Sequence, residues 1–167
     1  GTVHVGGTLA EVVHAEQQIH RGVMPDRPFV LVGQQYLADP SRSRGSTNPI
    51  WMYAHVPNGY SGDATEVALN HVERFAPGFR ERILRCVVST PAGLQEYNPN
   101  FRGGDILTGA NNVRQLVFRP RPALDPYYLG VEGHYLCSAA TPPGAGVHGM
   151  CGQFAAQSAL KRLGHGG

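Results

Sequence analysis

The sequence predicts a chain of mixed α/β character, closer to α+β than to a regular alternation, and three of its features carry that expectation. Apolar residues recur at helical spacing over residues 9–21 and 64–75, and β-branched and aromatic runs occupy residues 28–37, 50–56 and 83–89. Residues 134–163 then pass from an apolar run through a Pro-Pro corner and a glycine cluster into an amphipathic stretch. At 167 residues the chain has the length of a single unit with its own core.

Thr8-Leu9-Ala10-Glu11 is a Thr-x-x-Glu capping box, so a helix is expected over residues 9–21, with Gly22 as its stop and Leu9, Val12, Val13 and Ile19 as its apolar stripe. A strand is expected over residues 28–37, ended by Asp39-Pro40. After a polar loop at 41–48, residues 50–56 form a second strand in which Trp51, Tyr53 and His55 alternate with Ile50, Met52, Ala54 and Val56. One face of that strand therefore carries the large rings and is suited to floor a pocket. A second helix is expected over residues 64–75, with Val67, Leu69, Val72 and Phe75 at helical spacing and Pro77-Gly78 as its end. Residues 83–89 read as a strand, Thr90-Pro91 as the start of a short helix through Glu96, and residues 114–120 as a strand closed by Pro120 and Pro122.

Composition excludes several classes of function. Hydrophobic residues make up 41% and charged residues 16%, which describes a globular chain and not a disordered one or a coiled coil. A net charge of +2 with scattered arginines leaves no nucleic-acid footprint. No apolar run approaches the roughly 18 residues of a membrane span, and the first residues lack a signal-peptide pattern, so a cytoplasmic location is expected, with peripheral membrane contact left open. Cys86, Cys137 and Cys151 are odd in number and lack CxxC spacing, as expected of free thiols in a reducing compartment. Lys161 is the one lysine, so neither a P-loop nor a Schiff-base lysine finds support.

Gly144-Ala145-Gly146-Val147-His148-Gly149 spells GxGxxG between an expected strand and an expected helix. It does not read as a Rossmann fingerprint. Pro142-Pro143 leaves no room for that turn, and only 18 residues follow Gly149, without a second strand or an acidic ribose ligand about 20 positions on. The glycines still allow close approach to a helix start whose free N–H groups suit an anion or an electron-rich ring edge. Tight packing of small residues is the plainer alternative.

Residues 138–149 resemble the C-terminal flavin motif of the bacterial-type phytoene desaturases and their relatives. The pattern Gly-Ala-x-Thr-x-Pro-Gly-Ala-Gly-Val-x-Gly is met at Ala139, Thr141, Pro143, Gly144, Ala145, Gly146, Val147 and Gly149, with Ser138 in place of its first glycine. Gly133-His134-Tyr135-Leu136 precedes it, and Ser89-Thr90-Pro91, Gly103-Gly104-Asp105 and Phe118-Arg119-Pro120 fall upstream in the order seen in these flavoproteins. The resemblance implies the C-terminal portion of an FAD/NAD(P)-binding flavoprotein fold. Residues 1–130 would belong to the substrate-domain sheet and helices, and residues 131–167 would be the FAD-motif strand and helix. It further implies an FAD-dependent oxidoreductase of the phytoene dehydrogenase-related class. Thr141, Pro143, Gly144, Ala145, Gly146, Val147, His148 and Gly149 would lie against the cofactor, and an apolar, unsaturated or alicyclic substrate would rest on Trp51, Tyr53 and His55.

Residues 1–60 offer no dinucleotide-binding unit of their own. The resemblance therefore implies a partner, an N-terminal dinucleotide-binding half, and FAD that binds the full-length protein but not this chain tightly. Homo-oligomerisation is left open, and the competing expectation is a non-catalytic fragment or interaction module that binds no flavin. Cys151, three residues after His148, offers a nucleophile only if a third member is found, and packing as a small hydrophobe is the plainer role. His14 and His20, six apart, lack metal-pair spacing. Asp63, Glu66 and Glu73 read as a solvated helix face. Arg119 is expected to pair structurally with an acid across the sheet, with a cofactor phosphate as the other reading.

Overall fold

A computed structural model describes residues 1–110 and 112–164, and the chain divides into two compact units, Gly1–Tyr97 and Asn98–Gly167. The first contains β1 (Thr2–Val5), α1 (Leu9–His20), β2 (Val30–Gly33), β3 (Trp51–Ala54), α2 (Thr65–Phe75) and α3 (Pro91–Tyr97). Its strands form one antiparallel sheet in the order β1-β2-β3, with Val5 opposite Val30 and Val30 opposite Ala54. Because side chains alternate along a strand, this register brings Val5, Val30, Val32, Met52 and Ala54 to one face. Ala68 and Val72 of α2 close on that face and, with Phe79 at the margin, complete the core. Val30 is fully buried at its centre, and each such side chain contributes about 1.5–3 kcal/mol by leaving water.

The capping box forms as expected. Thr8 Oγ1 accepts from Glu11 N (3.3 Å) and Glu11 Oε2 accepts from Thr8 N (2.8 Å). Glu11 Oε1 also accepts from Arg27 (2.7 Å) and from Arg74 of α2 (2.6 Å), so one carboxylate ties the start of α1 to α2. The apolar stripe is narrower than the spacing suggests: Ala15 is buried, whereas Leu9 and Val13 are exposed. In α2 the buried positions are Ala68, Leu69, His71 and Val72, with Phe75 half exposed. Thr90 begins α3 as anticipated, its Oγ1 accepting from Gly93 N (3.1 Å).

Four expected strands take other forms, two of them in the first unit. The segment over 28–37 is extended only through β2, and Gln35–Leu37 turn into a 3-10 coil. Residues 83–89 pair with no strand, and Leu84, Val87 and Val88 stand exposed. Their β-branched composition is right for a strand, but a strand exists only where a neighbour accepts its N–H groups, and the described residues supply none. β1, which the sequence reading missed, exists for the converse reason: it has β2 beside it.

In the second unit the expected strand over 114–120 is a helix, α4 (Val113–Phe118), capped by the Asn112 side chain on Gln115 N (3.0 Å). The strand expected over residues 134–139 does not form: the segment is irregular, with a single antiparallel bridge between Tyr128 and Tyr135. The terminal helix, α5 (Met150–Arg162), is where the sequence places it. Among the described residues, no helix is long and apolar enough to cross a membrane.

Candidate functional site

The glycine loop of the second unit is built from its own turns outward. Ser138 O accepts from Thr141 N (2.9 Å) and from Thr141 Oγ1 (2.8 Å), and Ala140 N donates to Ser138 Oγ (3.0 Å). Thr141, at 0% exposure, then accepts on its own carbonyl from Gly144 N (2.9 Å). This local network explains why Ser and Thr stand three apart here: each hydroxyl offers the backbone a partner that a strand ladder would otherwise provide.

The loop's carbonyls are also taken up by side chains. Arg119, 2% exposed, donates from Nη1 to Ala139 O (2.8 Å), from Nε to Gln115 O (3.0 Å) and from Nη2 to Ala110 O (3.2 Å). That arrangement is structural, but the partners are three backbone carbonyls and not the acid across a sheet that was expected, because residues 113–118 form a helix and the planar fork meets main-chain oxygens. Tyr127 Oη donates to Pro142 O (2.9 Å), and Cys151 Sγ lies 3.5 Å from Thr141 O and 3.4 Å from Gly144 O. Burial pushes the Tyr127 hydroxyl up, with Cys151 and Asp125 adding to the effect, so it remains a donor at neutral pH. Asp125 in turn accepts from Ser158 Oγ (2.6 Å) and from Arg162. Burial alone would raise its carboxyl, but these bonds outweigh burial and hold it below its ordinary value.

By contrast, among the described residues the N–H groups of Ala145, Gly146, Val147, His148 and Gly149 donate to no protein acceptor. Gly149 caps α5 at φ 66°, a conformation that a side chain would strain. His148 turns back over the loop, where its Nδ1 accepts from Met150 N (3.0 Å). Its ring fills the space that Gly146 leaves, and a Cβ at Gly146 would stand 2.5 Å from His148 Cδ2. The loop thus brings Thr141, Pro143, Gly144, Ala145, Gly146, Val147, His148 and Gly149 into one continuous turn, with donors on one stretch and satisfied carbonyls on the other. Such a stretch can bind an anion or the electron-rich edge of a ring.

Trp51, Tyr53 and His55 stand in a row on the open face of the first unit's sheet. Their ring centroids are 5.2 Å apart (Trp51 to Tyr53) and 5.9 Å apart (Tyr53 to His55), and Phe29 and His4 extend the row. His55 Nδ1 lies 2.6 Å from Glu16 Oε1, a partnership between elements 39 residues apart that no local spacing announces. Two shallow hollows occur elsewhere. One, of about 340 Å³, lies between β1 and the α1 start near Glu11, Arg74 and Phe75, and the other, of about 380 Å³, is lined by Asp125, Tyr127, Phe154 and Arg162. Neither is lined by Trp51, Tyr53 or His55 or by residues 141–149, although His4 at the end of the row borders the first.

Other sequence candidates resolve into structural roles. Asp63 caps Thr65 N (2.8 Å), Glu66 pairs with Arg80, and Glu73 accepts from Gly78 N and Arg80 N. His14 and His20 are exposed, and the described residues contain no cluster able to hold a metal ion. Tyr127 and Asp125 escaped the sequence reading; each acts through a partner far along the chain, and no spacing signals it.

No protein-family profile matches the chain, and no solved structure matches it. Over 95 residues the chain is 39% identical to a mouse protein named pyridine nucleotide-disulfide oxidoreductase domain-containing protein 2, and 38% identical over 93 residues to the rat protein of that name. Each alignment covers 55% of this chain and 16% of the relative, so the chain matches about one sixth of those proteins. It is also 26% identical over 162 residues to phytoene desaturase (neurosporene-forming) of Rhodobacter capsulatus, covering 90% of this chain and 30% of that protein. The chain is therefore related to proteins named as oxidoreductases.

Proposed function

We propose that the chain is part of an FAD-dependent oxidoreductase of the phytoene dehydrogenase-related class. In this reading residues 131–167 serve the flavin and residues 1–130 belong to the substrate domain. The observation that carries it is the donor stretch over Ala145–Gly149, set among carbonyls that already have partners. It falls in the segment that matches the flavin motif, within a chain whose relatives carry oxidoreductase names. The residues fit the group through their donors: the N–H groups of residues 145–149 have no protein acceptor among the described residues and can meet an electron-rich cofactor edge. Bound FAD would supply hydride acceptance.

The chain's own part is to bind, orient and exclude water. The glycine loop would hold the cofactor by its N–H groups, with His148 as the side chain best placed to contact it. Trp51, Tyr53 and His55 would offer ring faces to an apolar small molecule, a use that explains why a solvent-facing sheet surface carries such large rings. A dinucleotide-binding half beyond these residues would hold the adenosine and pyrophosphate, so this chain alone binds FAD weakly.

Titration of the chain with FAD, followed by flavin fluorescence, tests the reading. The expected dissociation constant is weaker than about 1 µM, the level equivalent to about −8 kcal/mol, and Gly146→Val weakens it further while α5 stays helical. Equal affinity for Gly146→Val and wild type would contradict the role given to the loop.

A further inference from the structure

Four carbonyls within six residues, those of Ala139, Thr141, Pro142 and Gly144, each have a side-chain partner, and the partners come from three different places in the chain. Arg119 follows α4, Tyr127 stands eight residues further on, and Cys151 sits in the first turn of α5. Hydrogen bonds within the loop alone would settle only the Thr141 carbonyl, through Gly144 N. A glycine-rich turn with unpartnered carbonyls flips its peptide units freely, since glycine accepts either sign of φ. Here a flip in that segment costs the donor held from behind.

We propose that Arg119, Tyr127 and Cys151 are positioning residues that lock the carbonyls of residues 139–144 into the unit, so that the following peptides present their N–H groups to an electron-rich ligand. This rests on the proposed flavin role and names how the loop is made ready for it before any ligand arrives. The chemistry of the three donors suits the task. The Arg119 guanidinium ties Ala139 O to the carbonyls of Gln115 and Ala110, the Tyr127 hydroxyl reaches Pro142 O from a rigid ring that lies 6.0 Å from Phe154, and the Cys151 thiol shares its one proton between Thr141 O and Gly144 O from the helix that the loop opens. Their effect on a ligand is indirect, because Arg119 is 2% exposed and the Tyr127 hydroxyl and Cys151 thiol each point their one proton at the loop's own carbonyls. Preorganisation of this kind lowers the ordering cost of binding without adding a contact.

The test uses the whole chain with Tyr127→Phe, Cys151→Ala and Cys151→Ser. Tyr127→Phe keeps the ring and removes one hydroxyl, and Cys151→Ser restores a donor that Cys151→Ala removes. Backbone amide exchange at Ala140, Thr141 and Gly144, whose N–H groups are bonded within the loop, should accelerate about threefold or more in Tyr127→Phe and in Cys151→Ala, as expected for the loss of one net hydrogen bond. It should return towards wild type in Cys151→Ser, with α1 and α2 unchanged throughout. Weak FAD binding, read by fluorescence at millimolar FAD, should fall by a similar factor in the two loosened variants. Unchanged exchange in both variants overturns the proposal. So does faster exchange with wild-type FAD affinity, which would make the lock structural only. Wild-type chain that shows no FAD binding alongside the expected exchange pattern counts instead against the flavin reading, and it overturns the ligand half of the proposal with it.

Discussion

Replacing Arg119 with Met tests the architecture around the glycine loop most severely. The Arg119 side chain is 2% exposed and donates to the carbonyls of Gln115, Ala139 and Ala110. A hydrogen bond from a charged donor contributes about 1.5–3 kcal/mol, so losing three outweighs the desolvation of one guanidinium, itself several kcal/mol. The difference leaves a cost of about 2–4 kcal/mol, carried by the unit Asn98–Gly167 alone. For a unit of this size each kcal/mol moves the melting temperature by about 4–8 °C. Urea unfolding monitored by amide exchange at α5 and, separately, at α2 measures the two units side by side. The expected result is early unfolding of α5 with α2 unmoved. A variant that keeps wild-type stability at α5 would refute the structural role and return Arg119 to the cofactor-phosphate reading.

Other outcomes follow from single groups. His71, 2% exposed with neither ring nitrogen hydrogen-bonded, has its pKa lowered by burial and by Arg74. The unfolded chain therefore binds the proton more readily, and the contribution is full above pH 6.5 and lost as pH falls below it. His71→Leu should flatten that limb of the stability-pH curve, and an unchanged slope between pH 5 and 6.5 would contradict the burial argument. The Glu11 carboxyl is held well below the usual carboxylate range, by Arg74 first, then by the Thr8 N–H and Arg27. Its contribution is present above pH 4.5 and lost as pH falls below it, so Glu11→Gln should lower the melting temperature at pH 7 and reduce the loss on acidification. Gly149→Ala places a side chain at φ 66° and should cost about 1–2 kcal/mol, read by thermal melting, whereas Gly152→Ala, within α5 and with open space at its Cβ, should stabilise by about 0.5–1 kcal/mol.

What was legible in the sequence was whatever a segment decides for itself. The Thr8–Glu11 box, the Thr90 cap and the start of α5 after Gly149 all formed because their hydrogen bonds lie within a few residues. Strands were the weak point: residues 83–89, 114–120 and 134–139 have β-like composition, yet among the described residues β1, β2 and β3 form the sheet and residues 134–139 keep a single bridge at Tyr135. Of the candidate site, the glycine pattern over residues 144–149 and the shared face of Trp51, Tyr53 and His55 followed from spacing, whereas Thr141 and Pro143 entered through the family resemblance. The partners of those residues did not. Arg119 on Ala139, Tyr127 on Pro142 and Glu16 on His55 join positions 15 to 39 residues apart, and such pairings depend on tertiary packing that a linear pattern does not encode.

The central claim is that the N–H groups of Ala145–Gly149 serve a flavin. It is tested most directly by amide exchange of the whole chain with and without millimolar FAD. The account predicts slower exchange confined to residues 144–149 and the first turn of α5, with the sheet and α2 unaffected. Slowed exchange elsewhere, with residues 144–149 exchanging as fast as in the free chain, would contradict it.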